Sequence, residues 1–415
     1  MPAIFCSGIW CSCNKAENPP NYVEATWVKM VADSPVYLTG KIRSDKQNNL
    51  FCSYFTADAG VNVQSVIIKL DSGGNLQWRK QIDSLTIFDF IVVHDSEIIV
   101  AASEKTTVTL IGISAKGDIT FTAAFALPDV GATIKQVERM KIFLAESGAY
   151  NLSGTVNIYS TDFASVGFMM EVLSSGIINW SQSYKFHQDG KSATFITGCS
   201  ETADGYMLFG NVQNNVPLTS SFFVMKCNAT GDLLWTKFYA TSTYDEMTMV
   251  YNGYFCSTSD ILASDDGNFF ACAYNVSYNT PGQNPSSINT TDDNSARVFK
   301  INAEGDTLKS VRIRFGVQNE VADFVKRKDG GLLIGLNPFH LANFSLVGER
   351  HAFTALISSE LVLQNITTIQ TQYTDYMGSV CVMDDNHYAI QSMIQGFGKE
   401  HYFLEVIKTD ENANF

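Results

Sequence analysis

The amino-acid sequence predicts an all-β fold, and two observations carry this prediction. A strand–turn–strand pattern of apolar residues around an Asp/Asn and Gly turn recurs along the chain. Apolar residues at the helical spacing of i, i+3 and i+4 are scarce throughout. The 415 residues are 45% hydrophobic and 17% charged, so the chain has ample material for a folded core.

The charge balance narrows the classes of function. The chain carries 28 Lys and Arg against 42 Asp and Glu, a net charge of −14. Nucleic-acid binding needs a cationic face, so this class is not expected. No uninterrupted apolar run approaches the roughly 20 residues of a membrane-spanning helix.

One half-repeat is clearest at residues 66–78, VIIKLDSGGNLQW, and residues 223–235 match it position for position. A run of β-branched and aromatic residues predicts one strand. Asp or Asn followed by Gly-Asn or Gly-Asp predicts a tight turn with positive φ, and a second strand with Trp follows. Further copies lie at residues 110–121, 169–180, 298–308, 355–364 and 405–415.

A second half-repeat follows these hairpins and is again strand, Asp/Gly turn, strand. Its copies lie at residues 27–41, 89–102, 137–145, 199–210, 261–273, 324–335 and 380–390. Acidic pairs such as Asp265-Asp266 and Asp384-Asp385 fall in its turns, where Asp stabilises a hairpin locally. Two hairpins make four antiparallel strands, which is one blade of a β-propeller.

The two half-repeats at the ends of the chain have no neighbour of the other kind. The chain ends with a copy of the first half-repeat, residues 405–415. The earliest copy of the second half-repeat, residues 27–41, has no copy of the first half-repeat before it. Together they would complete one composite blade and remove the free sheet edges. We therefore expect a single seven-bladed propeller over residues 22–415, closed by pairing of N- and C-terminal strands, with six or eight blades as alternatives. An open β-solenoid or two β-sandwiches would leave the unmatched halves unexplained.

The amino-terminal segment has features of a targeting signal. Residues 4–10 are apolar, Cys11-Ser12-Cys13 follows, and a polar Asn- and Pro-containing stretch comes next. This segment resembles the end of a bacterial lipoprotein signal of the Bacteroidota type. The resemblance implies that Cys13 is acylated, that residues 1–21 are a signal remnant and tether, and that the protein is anchored by lipid in the outer membrane. The alternatives are fortuitous cysteines or a zinc clip, for which the spacing is poor.

The repeats resemble those of quinoprotein-type (PQQ-like) propellers and of exported Bacteroidota propellers. In the quinoprotein type, a Trp stacks on a turn of the next blade, and Trp78, Trp180 and Trp235 hold that position here. No stretch matches the calcium-bound quinone machinery, so no cofactor or metal is expected. A quinone-dependent oxidoreductase is the third and weakest of the functional hypotheses.

Aromatic residues suggest a ligand platform. Tyr251 and Tyr254 lie between the two halves of one blade, and Tyr274 and Tyr278 open a polar stretch, residues 275–294, that predicts a long exposed loop. Aromatic loops on one face can bind sugars or peptide side chains, whereas aromatic residues in strands are ordinary packing.

These observations favour a non-enzymatic binding or scaffold lipoprotein of the outer membrane, with a glycan or peptide ligand. By analogy with Bacteroidota uptake systems, its expected partners are a TonB-dependent nutrient transporter and that transporter's lid lipoprotein. The alternative is a propeller-fold glycan hydrolase or lyase with carboxylates lining the channel. No residue pattern identifies a catalytic group.

Overall fold

The computed structural model of the chain describes residues 27–31, 36–58, 62–160, 163–186, 192–215, 218–241, 243–245, 250–278, 295–313, 319–338, 352–369, 374–395 and 402–414. Regular structure in these ranges is almost entirely β-strand, which confirms the all-β prediction. Their helical structure is limited to one short 3-10 turn, η1 (His94–Ser96). A helix with the length and apolarity to cross a membrane does not occur in the described ranges.

The strands alternate along the chain with short turns and longer connections. In chain order they are β1 (Trp27–Met30), β2 (Val36–Ser44), β3 (Leu50–Asp58), β4 (Asn62–Leu70), β5 (Leu76–Ile82), β6 (Thr86–Val92), β7 (Ile98–Glu104), β8 (Thr107–Ile113), β9 (Ile119–Ala126), β10 (Thr133–Leu144), β11 (Tyr150–Tyr159), β12 (Phe163–Val172), β13 (Ile178–Tyr184), β14 (Ser192–Thr202), β15 (Gly205–Asn215), β16 (Leu218–Asn228), β17 (Leu233–Thr241), β18 (Thr243–Asp245), β19 (Val250–Ala263), β20 (Phe269–Tyr278), β21 (Ser295–Ile301), β22 (Thr307–Ile313), β23 (Asn319–Lys326), β24 (Leu332–Pro338), β25 (Phe353–Ile357), β26 (Leu363–Thr368), β27 (Thr374–Val382), β28 (Tyr388–Gln395) and β29 (Tyr402–Thr409).

Consecutive strands pair antiparallel in meanders of four, each made of one second half-repeat and the first half-repeat that follows it. The meanders are β2–β5, β6–β9, β10–β13, β14–β17, β19–β22 and β23–β26, and the short β18 adds to β19. A few backbone pairings also join one meander to the next. Counted with these pairings, the hydrogen-bonded sheets of the described residues contain eight, eight, five, four and four strands. The repeat read from the sequence is thus a structural unit.

The first and last described strands lie side by side. β27, β28 and β29 form an antiparallel meander, and β1 pairs with β29 from Trp27↔Lys408 to Met30↔Glu405. The backbone N–H of Val31 also donates to Leu404 O at 3.0 Å. The fourth strand beside β27–β29 therefore comes from the amino-terminal part of the chain.

The predicted hairpin over residues 27–41 is wrong. β1 pairs with β29, whereas β2 pairs with β3 and begins the next meander, touching β29 only through Val36↔Tyr402. Residues 27–29 are Trp-Val-Lys, which follows the Trp-x-Lys order of the outer strand β5 rather than the order of a hairpin before an Asp/Gly turn. The second half-repeat of the first meander is the β2–β3 pair instead.

The hairpin turns form as the sequence predicts. In the β4–β5 turn, Asp71 Oδ1 accepts the backbone N–H groups of Gly73 at 3.0 Å and Asn75 at 2.8 Å. Gly74 has φ of +78°, a conformation that Gly adopts without steric cost. These bonds lower the pKa of Asp71, with the bond from Asn75 contributing most.

The core lies between the facing sides of neighbouring meanders. One cluster joins Phe51 and Ile67 of the first meander to Phe90, Val100 and Ile111 of the second, all at 0–2% exposure. Stacking of this kind buries both faces of a sheet, which explains why the third strands read as continuous apolar runs. Among the cysteines whose side chains the structure describes, the free ones are Cys52, Cys199, Cys227, Cys272 and Cys381, and all of these but Cys199 are buried.

Candidate functional site

The first strands of the meanders surround a common axis. We call β2, β6, β10, β14, β19, β23 and β27 the inner strands. They contact one another in a cycle: β2 with β6, β6 with β10, β10 with β14, β14 with β19, β19 with β23, β23 with β27, and β27 with β2. Residues distant in sequence therefore meet along this axis.

Each inner strand carries a β-bulge at a corresponding position. The register shifts fall at residues 39–42, 87–89, 137–139, 196–198, 258–260, 321–323 and 377–379. A bulge inserts an extra residue and re-aims the side chains beside it. The repeated bulge therefore presents a set of side chains from every inner strand toward the axis.

A cavity of about 330 Å³ occupies the axis, and we call it the axial cavity. Every inner strand contributes to its wall, chiefly through residues at or beside the bulges. Its lining includes Lys41, Phe88, Arg139, Lys141, Thr197, Ser259, Tyr274, Ala322, Tyr376 and Gly378. An adjoining cavity of about 610 Å³ shares Lys41, Phe88 and Gly378 and continues past Lys105 and Glu138.

Three carboxylates occupy the position just after the bulge on their inner strands. Asp89, Asp260 and Asp323 each accept, through Oδ1, the backbone N–H of the next residue, at 2.9, 2.8 and 3.1 Å respectively. None of the three lines the axial cavity. Their shared geometry indicates a structural device of the inner strands.

Each of these carboxylates also pairs with a cation from another meander. Arg43 Nη2 lies 3.0 Å from Asp89 Oδ1, and Lys41 Nζ lies 3.1 Å from Asp323 Oδ1. Lys141 Nζ pairs with Asp260 Oδ2 across 119 residues of sequence. The hydroxyl of Ser379 donates to Asp323, whose side chain is 4% exposed. The pairs tie together inner strands from distant parts of the chain.

The environments of Asp260 and Asp323 shift their pKa values in opposite directions. Burial would raise the pKa of Asp323, but Lys41, Arg43 and the other nearby donors outweigh it and lower that pKa. Burial raises the pKa of Asp260, and Lys141 offsets this only in part. The two carboxylates therefore differ in how much their charge is stabilised.

Gly198 makes room for the Asp260 pair. It follows the bulge of β14, where other inner strands carry Asp. A Cβ at Gly198 would lie 2.3 Å from Asp260 Oδ1 and 2.5 Å from Ile261 N, distances that real Cβ atoms do not show. Glycine at this position lets β19 approach β14.

The wall of the axial cavity is cationic and aromatic. Its charged lining residues are Lys41, Arg139 and Lys141, whereas the carboxylates that pair with the two lysines lie behind them. Arg139 is exposed; its guanidinium forms no side-chain hydrogen bond or salt bridge with another described residue, and its charge acts on the neighbouring Glu138. Phe88, Tyr274 and Tyr376 supply ring surfaces. No sequence pattern predicts this cluster of lining residues, because its members are far apart along the chain.

The Trp residues singled out in the sequence contact turn glycines of another meander. A Cβ at Gly117 would lie 3.0 Å from the Trp78 ring, and Trp78 Nε1 donates to Ala115 O at 3.0 Å. A Cβ at Gly231 would likewise clash with the Trp180 ring, and a Cβ at Gly305 would lie 2.6 Å from the Trp235 ring.

Trp27, which the repeat pattern does not single out, makes the same kind of contact. Its ring lies 2.9 Å from the Cβ position of Gly74, and its Nε1 donates to Ser72 O at 3.1 Å. The order Trp-x-Lys, shared by Trp27, Trp78 and Trp235, is the signal that could have found it.

The repeated Lys of the third strands reaches the acidic turn of its own meander. The pairs are Lys226–Asp204, Lys300–Asp266 at 2.7 Å and Lys408–Asp385 at 2.6 Å. The hydrogen bond from Lys300 is the largest cause of the lowered pKa of Asp266. The acidic residues of these turns therefore stabilise their own meanders. They do not line the axial cavity.

The aromatic loop predicted from the sequence is placed differently. Tyr251 and Tyr254 lie in β19, and Tyr274 and Tyr278 lie in β20, so all four belong to strands. β19 and β20 stay paired as far as Gly253↔Tyr278, so the strands extend into the residues that were expected to form a loop. Tyr274 is 8% exposed and lines the axial cavity. The side chains of the other three, residues 279–294 and the predicted lipidation site Cys13 lie outside the described residues.

Comparisons with known proteins address the fold. No family model matches the chain, and no curated protein matches its sequence. The polysaccharide lyase Uly1 is 7% identical, with 94% of this chain and all (100%) of that chain covered and a TM-score of 0.59. The Dos1 propeller is 10% identical over 90% of this chain and 81% of its own, with a TM-score of 0.48. A protein of unknown function from Dyadobacter fermentans is 14% identical over 92% of this chain and 99% of its own, with a TM-score of 0.47.

At such identities a structural likeness shows the fold alone. The repeated antiparallel meanders and the cycle of contacts among the inner strands are the main evidence for the fold of this chain. These features support a β-propeller.

Proposed function

We propose that this protein is a non-enzymatic binding propeller that takes its ligand at the axial cavity. The observation that carries the proposal is the pairing of Asp89, Asp260 and Asp323, each of which holds a cation and a backbone N–H. Glycoside hydrolysis typically uses two carboxylates that flank the substrate, about 5–9.5 Å apart, and are free to exchange protons. Here Asp89, Asp260 and Asp323 are engaged behind the wall, so the axial cavity presents groups that bind.

We further propose that the meanders are seven blades. Six are β2–β5, β6–β9, β10–β13, β14–β17, β19–β22 and β23–β26, and the last is β27–β29 completed by β1. The cyclic contacts of the inner strands and the β1–β29 pairing support this count. Residues 22–415 then form one domain.

The subcellular localisation that we propose rests on the amino-acid sequence. Acylation of Cys13 would anchor the propeller to the outer membrane, with residues 1–21 as the signal remnant and tether. The proposed assembly contains a TonB-dependent transporter and its lid lipoprotein. In cell fractionation, Cys13→Ser should leave the membrane fraction, and unchanged partitioning would contradict the anchor. Co-purification from native membranes should recover the transporter, and a chain recovered alone would contradict the assembly.

A bulky side chain placed in the axial cavity tests whether the ligand binds there. Ala322 lines the axial cavity on β23, so Ala322→Phe should place a ring inside it. Ala124 is exposed on the outer strand β9, and Ala124→Phe is the matched control. On an array of soluble glycans and peptides, the wild-type chain and the control should retain the same ligands, and Ala322→Phe should lose them. Ligands kept by Ala322→Phe, with an unchanged melting temperature, would place binding elsewhere.

A glycan hydrolase or lyase is the second candidate. The observation that favours it is the convergence of Arg139, Lys141 and Tyr274 on one cavity, because an enzyme needs ionisable groups that meet there. The same glycans, incubated with the chain and analysed for new reducing or unsaturated ends, separate the two candidates. Turnover that Ala322→Phe abolishes would replace the binding proposal.

A further inference from the structure

We infer that the axial cavity binds a small organic carboxylate and that Arg139 holds the carboxylate group. This inference rests on the proposed binding function and names the chemical class of its ligand. Three observations carry it: the sign of the charges on the wall, the engagement of each charged group, and the ring surfaces beside them.

The charged side chains on the wall of the axial cavity are positive, whereas the net charge of the protein is negative. The chain as a whole carries −14, yet the charged residues that line the axial cavity are Lys41, Arg139 and Lys141. Lys41 and Lys141 pair with Asp323 and Asp260 behind the wall, whereas Arg139 carries its charge on the wall itself, next to Glu138 of the adjoining cavity. A cavity with weakly polar walls concentrates such a charge, which favours an anion.

Arg139 is the cation that remains available. Lys41 and Lys141 are bound to Asp323 and Asp260, whereas no described residue forms a side-chain hydrogen bond or a salt bridge at contact distance with the Arg139 guanidinium, whose charge acts on the neighbouring Glu138. The neighbouring Glu138 lines the adjoining cavity instead and forms a side-chain hydrogen bond with Asn157. A guanidinium presents a planar fork of N–H donors that matches a carboxylate in two parallel hydrogen bonds.

The remaining wall suits the carbon skeleton of an organic ligand. Phe88, Tyr274 and Tyr376 present rings, and Met140 and Ile196 add aliphatic surface. Sugars and other ring compounds pack on such faces. The volume of about 330 Å³ lies at the lower end of the range for small-molecule pockets, about 300–1,000 Å³. An inorganic oxyanion would leave this apolar surface unused.

Calorimetric titration of the full chain tests the inference. The probes are glucuronate and galacturonate, with glucose and galactose as neutral counterparts of matched shape and sulfate as an inorganic anion. At least one uronate should bind at least tenfold more tightly than its neutral sugar and than sulfate. Arg139→Gln should weaken that binding at least tenfold, because a charge-assisted bidentate contact is lost.

The matched control is Arg79→Gln, which removes the same charge from the exposed face of outer strand β5 and should leave the affinity unchanged. Equal binding by Arg139→Gln and the wild type, equal affinity for uronates and neutral sugars, or tighter binding of sulfate would overturn the carboxylate inference. Array ligands that Ala322→Phe removes would then still support the cavity as a binding site. If the array also yields no ligand, both the inference and the proposed function fail.

Discussion

Asp323 offers the sharpest perturbation of the ion-pair network on the inner strands. Its side chain is 4% exposed, and its carboxylate lies 3.1 Å from Lys41 Nζ and accepts the hydroxyl of Ser379. Asp323→Asn keeps the shape but leaves Lys41 without its counter-ion. Removing one partner of a buried pair costs about 3–5 kcal/mol. Because Lys41 is 17% exposed and partly hydrated, we expect the free energy of unfolding to fall by about 3 kcal/mol.

A double-mutant cycle isolates the pair from the other contacts of Asp323. Lys41→Met and Asp323→Asn together remove both charges, so the double variant should lose less free energy of unfolding than the two single variants added together. We expect a coupling of about 1–3 kcal/mol in urea unfolding followed by tryptophan fluorescence. Lys46→Met, at an exposed turn, is the control and should change stability by less than about 0.5 kcal/mol. Additive losses from the two single variants would refute a direct pair.

The same carboxylate predicts a pH dependence. Burial alone would raise its pKa, but the surrounding cations lower the pKa of folded Asp323 below the unfolded value of about 3.9. Its stabilisation is therefore fully present above the unfolded pKa and is lost as the pH falls through the folded pKa. Asp323→Asn should flatten the acid limb of the stability profile, and an acid limb identical to wild type would contradict the assignment.

Three further substitutions follow from the contacts. Trp27→Ala should lower the free energy of unfolding by about 2–4 kcal/mol, because a ring packed on Gly74 and a hydrogen bond to Ser72 are lost; unchanged urea midpoints would refute this packing. Burial raises the folded pKa of Asp260, so the stability its titration adds is present at low pH and is lost as the pH rises through that pKa. Asp260→Asn should therefore cost less than Asp323→Asn at pH 7, and the reverse order would contradict the pKa shifts. Gly198→Ala should cost about 1–3 kcal/mol by forcing β14 and β19 apart, and a midpoint within error of wild type would show that the strands are not in contact there.

The fold was predictable to the level of the hairpin. Turns such as the one at Gly74 use local chemistry, in which Asp accepts N–H groups two and four residues ahead, so neighbouring residues alone specify them. Trp27 was assigned to the wrong hairpin because its strand has no partner nearby in sequence. Its pairing with β29 depends on the assembled molecule, which a local pattern cannot encode.

The candidate site was not predictable. Arg139 and Tyr274 resemble ordinary strand residues, and only the convergence of the inner strands brings them into one cavity. Asp260 and Lys141 are 119 residues apart, so no spacing rule connects them. Tyr274 lies in a strand and not in the predicted loop because β20 continues to Tyr278, four residues into the polar stretch that begins at residue 275.

The proposed last blade requires that the two ends of the described chain share one sheet. Val28 and Ile407 are register partners in β1 and β29, so cysteines at these positions lie close enough for a disulfide. The measurement is mass-spectrometric mapping of disulfide-linked peptides after mild oxidation of the Val28→Cys, Ile407→Cys double variant, with each single variant as control. A linked peptide containing residues 28 and 407, found in the double variant alone, is the predicted result. Free thiols at both positions in the folded, oxidised protein would contradict it.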